Sequence, residues 1–278
     1  MKRRQKKTII LIAVLVIGAI AIFGLNKRFG FLPWGEQNSE FAQGTSSDQS
    51  DMYLNPSGAT LPSSEPSASQ TPQVSPSSNP VSQTPKSILQ SVPFFAQAPF
   101  GEWDDILFQN ACEEASVIMA MHWVAKTSVT KEQAKQEILV LTEFEYKTYG
   151  ENIDISAEDT IKLFKDYYKY NNVFVRKDIG GAEIKEQLLK GNLVIVPLDG
   201  RILKNPFYTP PGPDHHMLVV IGYDGKTNEF ITNDVGTRHG EKYRYGFARF
   251  EASLIDYPTG NDLPATPGQT AMIVVMPK

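Results

Sequence analysis

The stretch HHMLVVIGYDGKTNEFITNDVG, residues 215–236, sets two apolar runs on either side of DGKTN, a glycine-containing turn. That pattern predicts a β-hairpin. Its two ends carry chemistry, with His215 and His216 at the start and Asn233 and Asp234 at the finish. A turn centred on Gly225 places His216 opposite Asp234 on one sheet face, with Cβ atoms about 4.5–5.5 Å apart. A turn centred on Lys226–Thr227 shifts that register, and His215 with Asn233 is almost as well placed on the opposite face. The pattern favours His216 over His215 without deciding between them.

Further strand-like runs lie at 193–198 (LVIVPL) and 271–276 (AMIVVM). Upstream the period changes to that of helices. Thr130 with Gln133, and Ser156 with Asp159, are N-terminal capping pairs before AKQEILVL and TIKLFKDYY. AEIKEQLLK is an amphipathic helix closed by Gly191. Helices early and strands late predict an α+β fold, with N-terminal helices packed on a largely antiparallel sheet.

The only cysteine of the 278 residues, Cys112, opens a helix predicted to run to about Lys126. A helix N-terminus favours a thiolate, so its pKa is expected below the usual ~8.5. The thiolate needs a base, and the base an orienting group. His122 cannot be that base, because ten positions along one helix place it ~15 Å away; it reads as a core or groove histidine. His239, beyond the second hairpin strand, is not a candidate base. Trp103 reads as packing or loop anchoring. The Pro/Gly-rich NPFYTPPGPDHH (205–216) is either a cleft rim or a simple loop. Adjacent acids at 104–105 and 113–114 do not share a helix face, which gives no paired-carboxylate hydrolase.

Residues 1–28 carry seven Lys or Arg and no acid, so the rest of the chain sums to −11 against a formal total of −4. An acidic remainder excludes a nucleic-acid partner on charge grounds. One cysteine excludes an intrachain disulfide framework and a Cys-based zinc site, and the histidines lack metal-ligand spacing. No cofactor or metal is expected.

Residues 8–25, TIILIAVLVIGAIAIFGL, hold no charged side chain. As a helix at ~1.5 Å per residue they extend about 27 Å, close to a bilayer's hydrocarbon core. With the basic residues before them they predict a transmembrane signal anchor (1–28) with its N-terminus in the cytoplasm. AIA at 19–21 keeps a cleaved signal peptide as the alternative. Residues 55–85 hold 7 Pro and 9 Ser, so residues 29–86 are expected to be a disordered linker. Residues 87–278 then form the functional domain, outside the cytoplasm.

VPFFAQAPFGEWDDILFQNACEEASVIMA (92–120), HHMLVVIGYD and ITNDVG together resemble the bacteriocin-leader (double-glycine) peptidase-like family of papain-like cysteine peptidases. The similarity spans most of residues 91–277. It implies a papain-like fold with Gln97 at the oxyanion hole, Cys112 as nucleophile, His216 as base and Asp234 as its orienter. His216 lies six residues before Gly222, as in the family's motif, which selects it over His215. Gln109 remains a rival for the oxyanion role.

Cys112 is followed by Glu113–Glu114 where many members have Gly-Pro, and a local carboxylate opposes thiolate formation. The chain carries no transporter domain, so leader processing does not carry over. The expectation is a monomeric, membrane-anchored thiol peptidase or amidase acting on a peptide or cell-wall peptide. The alternatives are a non-catalytic surface binding module using the same cleft and an acyl transferase with the same thiol chemistry.

Overall fold

The computed structural model describes residues 86–150, 153–261 and 263–278. The anchor expected at 1–28 and the linker at 29–86, Lys86 apart, lie outside the described residues. Among the described residues no helix is long and apolar enough to cross a membrane.

Short strand β1 (Ile88–Leu89) leads to a single helical turn α1 (Ile106–Gln109) and then to helix α2 (Cys112–Ala125). Helix α3 (Lys131–Tyr149) opens with the anticipated capping box, in which Thr130 and Gln133 each satisfy the other's backbone N–H. Helix α4 (Ala157–Lys162) is capped by Ser156 and runs into a π-helical turn at Leu163–Tyr167. Next come β2 (Val173–Lys177), α5 (Gly181–Leu189), β3 (Leu193–Leu198) and the turn α6 (Gly200–Leu203). The hairpin β4 (His216–Asp224) and β5 (Glu229–Asn233) is followed by β6 (Tyr243–Gly246), α7 (Phe247–Ser253) and β7 (Ala271–Val275).

The strands form an antiparallel sheet in the order β2-β7-β3-β4-β5-β6, with β1 against the far end of β4. The α+β architecture expected from the sequence is present. Strand β4 is central and buried along nearly its whole length. Leu218 and Val220 pack with Ile184 and Leu188 of α5 and Phe250 of α7. Met217, on the opposite face, meets Thr160 of α4, and α2 packs on the same strand. A strand covered on both faces has no solvent side, which is why 217–221 reads as an unbroken apolar run.

The β4–β5 register departs from the expectation, and the departure decides the site. Near the turn, Asp224 pairs with Glu229 and Gly222 with Ile231; nearer the strand ends, Val220 pairs with Thr232 and Val219 with Asn233. Ile221 is the extra residue of a β-bulge. Had the turn-end register continued, His215 would share a sheet face with Asp234 and His216 would point away. The bulge restores parity, so His216 and Asp234 lie on one face as diagonal rather than directly opposed neighbours, within reach of a long side chain. Gly222 lets β1 close on the turn end of β4, since a Cβ there would lie 2.5 Å from the Ile88 carbonyl oxygen.

Candidate active site

Asp234 follows directly on β5 and is fully buried. Its Oδ1 accepts from His216 Nε2 at 2.9 Å and from the Gly236 N–H at 3.1 Å. Its Oδ2 accepts from Tyr208 Oη at 2.6 Å, Tyr245 Oη at 2.5 Å and Asn205 Nδ2 at 3.0 Å. Burial acts to raise the Asp234 pKa, but the adjacent His216 and these hydroxyl donors outweigh it and hold it at about 2. The carboxylate is an acceptor only, so His216 carries its proton on Nε2 and leaves Nδ1 for other chemistry. Tyr208 packs edge-on to the His216 ring at 5.5 Å between centroids. Gly236 permits that packing, because a Cβ there would lie 2.8 Å from His216 Cε1.

Cys112 is the first residue of α2 and has no side-chain cap before it, so its own backbone N–H is one of the helix's orphan donors. The backbone N–H of Met217, next to His216, points at the sulfur, which brings the start of α2 to the start of β4. The expectation of a depressed thiol pKa is corrected here. Burial raises it well above the usual value, the Glu113 carboxylate adds to that, and the Met217 N–H opposes both without winning. Sγ donates to Glu113 Oε2 at 3.0 Å, and no hydrogen bond joins it to His216. A helix dipole is a fraction of a charge at some distance, whereas the Glu113 carboxyl group is in direct contact with the sulfur.

Gln97 reaches the same place from the N-terminal segment. Its backbone N–H donates to Val235 O at 2.9 Å, and its Nε2 to Phe108 O at 3.0 Å and Gln109 O at 2.7 Å. Two carbonyl partners fix the amide orientation and leave Oε1 buried without a partner. Gln109, the rival, is exposed and donates instead to Trp103 O. Asn233 bonds the carbonyls of Val92 and Pro93, and so ties the segment leading to Gln97 onto the hairpin.

The remaining histidines are placed elsewhere. His122 sits between Thr127 and Glu137. His239 stacks on Phe207 at 4.4 Å. His215 points to the face opposite His216, stacked on Tyr257 at 4.6 Å with Nδ1 3.2 Å from Asp154 Oδ2. That ion contact lacks hydrogen-bond alignment, yet it raises the His215 pKa. Asn205, Tyr208 and Tyr245 are the residues that sequence reasoning missed. Two of them lie in NPFYTPPGPDHH, which therefore anchors the carboxylate rather than forming a bare loop.

Glu114 gives a stability prediction. Burial first, and then the Glu113 charge, raise its pKa to about 8, against hydrogen bonds from Thr142 and Glu145 of α3. A raised carboxylate pKa means that the folded state binds the proton more tightly than the unfolded chain. Its contribution is therefore fully present below the unfolded value of 4.5 and is lost as pH rises through about 8. Glu114→Gln, which keeps the hydrogen-bonding shape without the charge, should remove that loss. Denaturant unfolding at pH 5 and pH 8 should show the variant gaining on the wild type by on the order of 2–4 kcal/mol at the higher pH. Parallel pH profiles for the two proteins would show that Glu114 does not titrate in this range.

A thiol opening a buried helix, with a carboxylate-held imidazole on the neighbouring strand of an antiparallel sheet, is the architecture of papain-like cysteine peptidases. The chain belongs to the Peptidase C39-like family, whose model matches residues 89–259. Seven solved chains match the structure. One is a C39-like peptidase from Bacillus anthracis, with 14% identity, a TM-score of 0.39, and coverage of 69% of this chain and 98% of that chain. No curated protein matches. Membership in this family makes the protein a cysteine peptidase in general class, with a peptide as substrate.

Proposed function

We propose that the protein is a membrane-anchored, extracytoplasmic thiol hydrolase that cleaves peptide or amide bonds through Cys112, His216 and Asp234. The observation that carries this reading is the Nε2–Oδ1 bond between His216 and Asp234, which engages Nε2 and keeps Nδ1 out of that bond, on the residue next to the one whose N–H points at Sγ. In the mechanism, Nδ1 takes the thiol proton as the sulfur attacks the amide carbonyl. The backbone N–H of Cys112, and a Gln97 N–H released from its carbonyl partners, hold the oxyanion. His216 then protonates the leaving amine, and activates water to hydrolyse the thioester.

The anchor is inferred from the basic residues 2–7 followed by the uncharged run 8–25, and the tether from the Ser/Pro tract. A second reading, a non-catalytic binding module, draws support from the thiol bonded to Glu113 and from the Gln97 donors already engaged. An acyl transferase would use the same residues with an amine in place of water.

A membrane-impermeant epoxysuccinyl peptide probe separates thiol chemistry of either kind from the binding module. Applied to intact cells, it should label the wild type and leave Cys112→Ala unlabelled. Labelling only after lysis would refute the orientation while leaving the chemistry standing. No labelling in either preparation would favour the binding module.

A further inference from the structure

We propose that Glu113 is a positioning residue that holds the Cys112 thiol in a resting orientation turned from His216, with Tyr257 and His215 bracing the carboxylate. This rests on the thiol-hydrolase reading and adds to it a restraint that the nucleophile must leave before it reacts. Consecutive residues on a helix do not face each other. The 3.0 Å contact from Sγ to Glu113 Oε2 therefore depends on where Cys112, at the first helical position, turns its sulfur. The carboxylate cannot follow the sulfur away, because its other oxygen accepts from Tyr257 Oη at 2.8 Å. Tyr257 in turn is fixed by the His215 ring stacked on it.

Cys112, Glu114 and Tyr257, which face Glu113, are buried, His215 and Asp154 are half-buried, and their charges act together. Cys112 and Glu114 lie on its own helix, Tyr257 follows α7, His215 precedes β4, and Asp154 precedes α4. Burial raises the Glu113 pKa, and the hydrogen bonds from Cys112 and Tyr257 act against that; in its ionised form the carboxylate against the sulfur favours S–H over S⁻ and so keeps the proton on Cys112. Productive attack then requires the sulfur to break its bond to Glu113 and give its proton to Nδ1 of His216. The proton moves from sulfur to nitrogen and no further reactant is needed. A substrate that brings its carbonyl to the sulfur and turns the sulfur toward it supplies that motion, so the resting thiol is protected from adventitious electrophiles until substrate arrives.

Glu113→Gln tests this on the full-length chain. The amide oxygen still accepts from Tyr257, and its NH₂ then replaces the oxygen that accepted from Sγ, so the variant removes the charge and the acceptor of the restraint together. Iodoacetamide alkylation of Cys112, followed from pH 5 to 10, reports the thiolate fraction. The midpoint should fall by at least one pH unit, making alkylation at pH 7 about tenfold faster. Tyr257→Phe, which frees one carboxylate oxygen, should accelerate it about two- to fivefold, and decides the matter if the glutamine variant does not fold.

A merely structural Glu113 would change the thermal midpoint and leave the alkylation midpoint in place. That result, or slower alkylation across the whole pH range, overturns the proposal. The parent reading fails differently: with no histidine-dependent peptide turnover, Glu113→Gln would still move the alkylation midpoint. Conversely, turnover lost on replacing His216 with an unmoved midpoint in Glu113→Gln would keep the hydrolase and discard the restraint.

Discussion

His216→Ala should abolish turnover of any peptide the protein cleaves, lowering kcat by about 10³–10⁵. His215→Ala should leave it within about tenfold, through its remote contact with Glu113 alone. The two histidines are adjacent in sequence and differ only in the sheet face to which they point. His216 faces Asp234 with Nε2 at 2.9 Å, whereas His215 faces Tyr257 and Asp154. Without His216 the thiol loses its proton acceptor and the leaving amine its donor, so acylation and its reversal both fail. Single-turnover measurements on a thioester substrate, whose leaving group needs no protonation, should show a smaller loss than on the amide. Equal losses from the two histidine variants would mean that the bulge does not set the partner. Loss on replacing His215 alone would transfer the base to the other face.

That bulge marks the limit of what the sequence makes legible. The hairpin, the capping box at Thr130, the N-cap at Ser156 and the strand at 193–198 follow from periods and turn residues and stand where expected, and the strand expected at 271–276 ends one residue sooner, at Val275. Ile221 is indistinguishable from the valines before it, because a bulge inside a strand buried on both faces leaves no polar residue out of phase. The pairing of His216 with Asp234 was therefore reached from a direct-opposition register that the structure does not contain.

Strand β6 was invisible for a different reason: four residues at the sheet edge offer too little alternation to count. With it went Tyr245, one of the three donors on Asp234 Oδ2. The thiol environment was misjudged because a helix N-terminus is readable locally, whereas burial is a property of the assembled fold. The Glu-Glu that follows Cys112 was the one local sign of the opposing effect.

Asp234→Asn should cost both activity and stability, and the pH dependence separates the two. The native carboxylate receives donors on both oxygens: Gly236 N–H and His216 Nε2 on one, Tyr208, Tyr245 and Asn205 on the other. An asparagine cannot satisfy both sets. With its oxygen toward His216, its NH₂ confronts Asn205 Nδ2, whose flip would cost the Phe207 N–H its acceptor, although the two tyrosine hydroxyls can turn. With the amide flipped, Gly236 N–H loses its acceptor and His216 must shift its proton to Nδ1, the nitrogen that should receive the thiol proton. Activity should fall by about 10²–10⁴, the upper end marking the flipped amide.

The stability loss follows from the depressed pKa. Asp234 titrates at about 2 in the folded protein against a reference of 3.8. The folded pKa lies below the unfolded one, so the stabilisation is present above about pH 5 and disappears as pH falls toward 2. On the order of 2 kcal/mol should separate wild type from variant at neutral pH, and denaturant unfolding should show the gap closing between about pH 5 and 2. A gap that stays constant down to pH 2 would assign the loss to packing in the Tyr208–Tyr245–Asn205 cage rather than to the charge. In that case Asp234 would be a structural acceptor, and its hold on His216 geometric rather than electrostatic.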